Sequence, residues 1–155
     1  MSAPEPSLQA PSFTLPRDGG GSVSLDELQG RNVVLYFYPK DDTPGCTLEA
    51  QSFTAEVEAF ASADAVVLGI SKDSVKKHDK FRDKYGLRIA LLSDEDSDVC
   101  ERYGVWVEKS MYGKKYFGIE RATFLIGRDG RIARVWRNVK VDGHAAEVLA
   151  EVRAL

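Results

Sequence analysis

The chain has 155 residues, 43% hydrophobic and 29% charged, with a net charge of −3, which is the profile of one ordinary globular domain spanning 1–155. Both signs of charge are interspersed without a basic stripe, so nucleic-acid binding is not expected, and the apolar runs are strand-length, too short to span a membrane. Two cysteines, Cys46 and Cys100, and two histidines at unrelated spacings exclude a disulfide scaffold and a closed zinc site. No metal or cofactor is therefore expected. The start, Met1 to Ala10, lacks a basic, apolar leader pattern, so the expected setting is a reducing cytoplasm.

In chain order, Pro11–Leu15 alternates like a short strand and Asp18-Gly19-Gly20-Gly21 reads as a turn. Ser24–Leu28 reads as a brief helical turn ending at Gly30. Asn32–Tyr38 is apolar nearly throughout, as expected of a strand buried on both faces. Pro39 closes it. Thr43 is then a good N-cap, with Pro44 at the first helical position. The helix that follows carries its stripe at Cys46, Ala50, Phe53, Val57 and Phe60.

Ala65–Ile70 reads as the next buried strand, Ser74–Tyr85 as an amphipathic helix stopped by Gly86, and Ile89–Leu92 as a short strand. Ser97–Tyr103 reads as a short helix. A long loop is expected from Val105 to Gly118, with Trp106, Met111, Tyr112, Tyr116 and Phe117 either packed singly along it or forming a hydrophobic collar or partner surface, the first being favoured. Glu120–Gly127 and Ile132–Arg137 flank an Asp129-Gly130 hairpin signal, and Gly143–Arg153 reads as a terminal helix. The early alternation predicts parallel strands with helices on both faces, and the late hairpin adds antiparallel strands. The expected fold is thus α/β and thioredoxin-like, a mixed central sheet with a short N-terminal extension.

Cys46 stands in the first turn of a helix at a strand exit. Unpaired N–H groups and the positive end of the helix dipole favour a thiolate there, the mark of a reactive sulfur. Thr43 reads either as a simple cap or as a hydroxyl aimed at the same spot. Arg121 interrupts an otherwise buried run, and a buried guanidinium needs a partner: the Cys46 thiolate, Glu49 or Glu120. Cys100 reads as a packed core cysteine beside Val99 and Tyr103. His78 and His144 read as solvated side chains.

The run Pro39-Lys-Asp-Asp-Thr43-Pro-Gly-Cys46 resembles the peroxiredoxin Pro-x-x-x-Thr-x-x-Cys motif, and most closely that of the bacterioferritin comigratory protein (PrxQ) subfamily. Tyr36–Pro39, Leu68–Ser71, Leu91–Asp94, Tyr103–Trp106, Met111–Lys114 and Arg121–Leu125 extend the likeness over nearly the whole chain. The resemblance implies a thiol peroxidase in which Cys46 is peroxidatic and Pro39, Thr43 and Arg121 complete the site. It implies a peroxide substrate, a monomer, and thioredoxin, glutaredoxin or a small thiol as reductant.

Many members of the subfamily have a resolving cysteine five residues after the first, where this chain has Gln51. Others have one in the helix matching His78–Lys84, which has none here. The expectation is therefore a one-Cys cycle resolved by an external thiol. A Cys46–Cys100 disulfide cycle is the runner-up, and a redox-responsive holdase is the alternative from a different class.

Overall fold

The computed structural model describes residues 4–155; the start Met1–Ala3, read above as free of a leader pattern, lies outside them. Five strands form the central sheet: β3 (Asn32–Phe37), β4 (Ala65–Ser71), β5 (Ala90–Ser93), β8 (Ala122–Ile126) and β9 (Ile132–Trp136). Their spatial order is β5-β4-β3-β8-β9, with β3, β4 and β5 parallel and β8 and β9 antiparallel. All of β3 and β8 is buried, as their unbroken apolar sequences require.

Two crossovers, β3 to β4 and β4 to β5, advance in the same direction along the sheet. Right-handed connections therefore carry their helices to one face. These are α1 (Pro44–Ala55), α2 (Val57–Ser62) and α3 (Val75–Tyr85), and the terminal helix α5 (His144–Arg153) joins them. The other face is covered by α4 (Val99–Arg102) and by Phe13, Leu15 and Leu25 of the N-terminal segment, where β1 (Thr14–Pro16) pairs with β2 (Ser22–Ser24). Successive residues of β3 point to opposite faces, so Val34, Tyr36 and Tyr38 join the α1 side while Val33, Leu35 and Phe37 join the α4 side. Within the sheet Tyr36 is the register partner of Gly69. A Cβ at position 69 would lie 2.8 Å from the Tyr36 ring, so the glycine makes room for that ring to stack on Phe53 at 4.7 Å.

Three expectations need correction. The helix that carries Cys46 does not run unbroken to Phe60: at Glu56 the backbone N–H bonds back to the Phe53 carbonyl, three residues away, and a second helix starts. The stripe survives the break, with the Phe53 and Phe60 rings 5.9 Å apart.

The stretch read as a long loop is a hairpin, β6 (Trp106–Met111) against β7 (Lys114–Ile119). It turns at Tyr112 and Gly113, both at positive φ (53° and 79°), the geometry of a two-residue primed turn. Alternation in sequence reports burial of one strand face, and this hairpin stands mostly in solvent with Tyr112 98% exposed, so no alternation was there to read. The aromatics are not scattered either, since Trp106 and Phe117 stack across the hairpin at 6.4 Å.

His78 and His144 are buried, not solvated. Each lies on the apolar stripe of its helix, His78 with Phe81, and His144 with Val148 and Val152. The helical period therefore carried the signal.

Candidate active site

The chain leaves β3 at Tyr38, passes exposed Pro39, and enters α1 through Thr43, whose extended backbone (φ −104°, ψ 156°) is that of an N-cap. The first helical bond runs from the Thr47 N–H to the Thr43 carbonyl at 2.8 Å. The N–H groups of Gly45 and Cys46 consequently project from the helix start without a helical acceptor. Thr43 does not cap with its side chain. Its hydroxyl donates to the Lys40 carbonyl at 2.8 Å, pinning the turn that precedes the helix.

Cys46 is only 2% exposed and packs with Ala50 and Phe53 on the inward face of α1. Arg121 reaches it from the neighbouring strand. Phe37 pairs with Ala122, so Arg121 stands one residue beyond that pair, level with the exit of β3. Its Nη2 donates to Cys46 Sγ at 3.4 Å, and its Nη1 to Glu49 Oε1 at 2.6 Å. Glu49 lies one turn after Cys46 on the same helix face, so one guanidinium fork holds both. Of the three partners read from the sequence Arg121 takes two, while Glu120 is engaged by Arg137 at 2.9 Å. Gly45 permits this approach, because a Cβ there would lie 3.2 Å from Arg121 Nη2.

The electrostatics follow from burial. Burial pushes the Glu49 carboxyl up to about 7, against the opposing pull of Arg121. For Arg121, burial works against the charge, but Glu49 and Cys46 outweigh it and raise its pKa. Glu49 Oε2 and the Tyr36 hydroxyl are both buried without a partner among the described residues, and burial with Glu49 close by keeps the Tyr36 phenol neutral. A cleft of about 400 Å³ opens beside Arg121, lined also by Val107, Glu108, Lys109, Glu120, Asn138 and Val139.

Cys100 is elsewhere. It packs with the α4 face of the sheet, opposite Cys46, and is fully buried. Its N–H and that of Val99 are taken by Asp94, at 2.8 and 3.1 Å. Burial, reinforced by the Asp94 charge, pushes its thiol far above the ordinary range. The structure thus brings together Cys46 and Arg121, sets Thr43 at the helix entrance, leaves Pro39 exposed, and separates Cys100 from all of them. Sequence reading did not place Glu49 at the centre of the site. Its signal was the one-turn spacing from Cys46 combined with the need of Arg121 for an anion.

Among the described residues no group of three or more His, Cys, Asp or Glu side chains could hold a metal ion, and no helix is long and apolar enough to cross a membrane.

A thioredoxin-like domain whose helix-start cysteine faces an arginine defines a thiol-based redox enzyme. The comparisons with known proteins narrow the class. The model of the AhpC/TSA family matches residues 6–135, and the chain belongs to that family. It is 59% identical to a bcp protein of Coxiella burnetii, over 93% of this chain and 95% of the relative. To peroxiredoxin Bcp of Bacillus subtilis it is 48% identical, over 94% and 92%. Among solved structures, Xylella fastidiosa PrxQ superposes with a TM-score of 0.94 at 41% identity, covering 99% of this chain and 98% of that one. A Xanthomonas campestris bacterioferritin comigratory protein, described for its alkyl peroxide reduction activity, superposes at 0.87 with 46% identity over 92% and 90%. The protein is a peroxiredoxin enzyme, a thiol-dependent peroxidase acting on a peroxide with a thiol as reductant.

Proposed function

We propose that this chain reduces hydrogen peroxide and organic hydroperoxides through a sulfenic acid on Cys46, in a one-Cys cycle completed by an external thiol. The observation that carries the reading is the Arg121 fork, which presents one N–H to the sulfur and is anchored by Glu49 through the other. The Cys46 thiolate attacks one peroxide oxygen. The O–O bond breaks, its electron pair leaves on the second oxygen, and that oxygen takes a proton to become water or an alcohol. Arg121 and the free Cys46 N–H lie where this charge develops, and loss of one such donor typically costs about 3–4 kcal/mol.

Thr43 enters through its lone pairs, which accept the hydroperoxide O–H while its own proton stays on the Lys40 carbonyl. Pro39 shapes the turn and limits water at the sulfur. Organic hydroperoxides are included because of the alkyl peroxide activity described for the Xanthomonas relative and the apolar side of the cleft at Val107 and Val139.

In the second half, a thiol attacks the Cys46 sulfenic acid, water leaves, and a mixed disulfide forms; a second thiol then releases the cysteine. Thioredoxin, glutaredoxin or a small thiol fits this role, with the protein acting as a monomer, as the PrxQ resemblance suggests, in the reducing cytoplasm that its cysteine usage suggests. The one-Cys route is supported by Cys100 lying across the sheet from Cys46. A disulfide needs Cα atoms within about 7 Å, which those positions would reach only by dismantling one layer of the fold. Intact mass after one equivalent of peroxide tests the route. Gain of one oxygen in wild type and in Cys100→Ser is the expected result. Loss of two hydrogens in wild type alone would establish the Cys46–Cys100 cycle instead.

A further inference from the structure

His78 is a buried titratable group that the peroxide chemistry does not use and that lies against the turn before Cys46. It stands near the start of α3, is 0% exposed, and has both of its ring nitrogens engaged. Nε2 lies 3.0 Å from the Leu92 carbonyl of β5, which only accepts, so Nε2 carries a hydrogen. Nδ1 lies 2.6 Å from Asp41 Oδ2. The Tyr38 hydroxyl, 3.5 Å from Nδ1, already donates to Asp41 Oδ1 at 2.6 Å. With Nε2 protonated, a neutral ring would aim a lone pair at a carboxylate oxygen at hydrogen-bond distance. One further proton must therefore lie between Nδ1 and Asp41 Oδ2.

Asp41 and Asp42 are the two residues just before Thr43, and α3 grips both. The Asp41 N–H donates to Asp73 Oδ2 at 2.8 Å, an oxygen that also accepts from the Ser71 hydroxyl at 2.8 Å. Asp42 adopts a left-handed backbone (φ 58°), a conformation strained for a non-glycine residue unless its surroundings hold it. Its carboxylate is held by Lys84 Nζ at 2.8 Å and the Tyr85 hydroxyl at 2.6 Å. The turn that supports the start of α1 is thus held down by bonds from outside itself, chief among them the buried His78–Asp41 pair.

We propose that α3 clamps the Cys46 turn through this protonated His78–Asp41 pair, and that the clamp governs how readily an external thiol reaches oxidised Cys46. Peroxide is small, whereas the attacking thiol must bring its sulfur to one that is 2% exposed. Release of Asp41 frees the segment between β3 and α1 and uncovers that sulfur.

The groups facing the ring set the pH response: Tyr38 from the end of β3, Asp41 from the turn, Asp73 from the β4–α3 connection and the Leu92 carbonyl from β5. Burial opposes the charge on His78, but Asp41, the Leu92 carbonyl and Asp73 outweigh it, and the ring titrates above its ordinary value. A folded-state pKa above the unfolded one stabilises fully below about 6.5, and that stabilisation is lost as pH rises through the folded value. The clamp therefore loosens as pH rises.

The decisive experiment is hydrogen exchange on the reduced protein from about pH 6 to about pH 9, corrected for intrinsic rates. Protection of residues 40–48 relative to β3 should fall roughly tenfold across that range in wild type. In His78→Gln it should be low and flat. A flat wild-type profile, or an unchanged slope in His78→Gln, would overturn the clamp. Should His78→Gln fail to fold, Asp41→Asn serves in its place. Nitrogen NMR of wild-type His78 gives a further reading: two protonated ring nitrogens at about pH 7 are expected, and a neutral ring overturns the proposal.

The link to thiol access rests on the one-Cys reading. It is tested by the rate at which glutathione, at fixed thiolate concentration, consumes preformed Cys46 sulfenic acid. A several-fold faster reaction in His78→Gln at about pH 6 is expected, and equal rates overturn the link. The exchange measurement uses no peroxide, so the clamp and the one-Cys reading stand or fall separately.

Discussion

Cys46 and Cys100 make a controlled comparison inside one molecule. Both are buried, at 2% and 0% exposure, and both lie in the first turn of a helix. Their surroundings are opposite in sign. At Cys46 the helix N–H groups are free and a guanidinium stands 3.4 Å from the sulfur. At Cys100 the corresponding N–H groups are spent on the Asp94 carboxylate, and that negative charge helps push the thiol upward. Placement at a helix start therefore does not fix the electrostatic surroundings of a thiol. What decides is the charge that the tertiary structure sets against it.

The largest expected effect separates the two cysteines outright. Cys46→Ser should abolish thiol-dependent peroxide consumption, whereas Cys100→Ser should retain it within about twofold. Comparable losses in both would break the contrast and bring Cys100 into the cycle. Next comes the charge partner: Arg121→Ala should slow Cys46 oxidation by about 10²–10³-fold, as read by stopped-flow fluorescence, the usual loss for a donor at a developing anion. An unaffected oxidation rate would make Arg121 a structural residue only.

Gly45→Ala probes the same pair more gently, since the added methyl meets Arg121 Nη2 at 3.2 Å. Displacing the guanidinium should slow oxidation about tenfold, with far-ultraviolet circular dichroism unchanged.

Glu49 gives the smallest effect and the one with a pH signature. Its folded-state pKa of about 7 lies above the ordinary 4.5. Its contribution to stability is thus fully present below about 4.5 and is lost as pH rises through about 7. Glu49→Gln removes that titration, so urea midpoints should shift in favour of the variant between those values. A difference independent of pH would show that Glu49 is fully ionised throughout.

Much of the architecture is legible in the order of residues alone. The apolar run Asn32–Tyr38, the Thr43-Pro44 helix start and the Asp129-Gly130 turn each have a local cause, such as strand burial on two faces, an extended cap or a left-handed glycine. The hairpin Trp106–Ile119 escaped because its strands bury too little to alternate. His78 and His144 were misplaced because a polar residue on an apolar stripe needs a partner that sequence does not display. For His144 that partner is Thr123, 2.7 Å away on β8, and burial takes its ring down to about 4, where it stays neutral.

The sequence by itself determined that Cys46 stands in the first turn of a helix at a strand exit, and that Arg121 needed an anion, because both follow from local geometry and the cost of burying charge. Only the tertiary structure decided which anions it meets. The pairing of β8 with β3 brings Arg121 to the Cys46–Glu49 face of α1, and the path of the chain after β5 carries α4, with Cys100, to the other side of the sheet. Those contacts span more than seventy residues, a distance over which sequence periodicity carries no information about which charge meets which thiol.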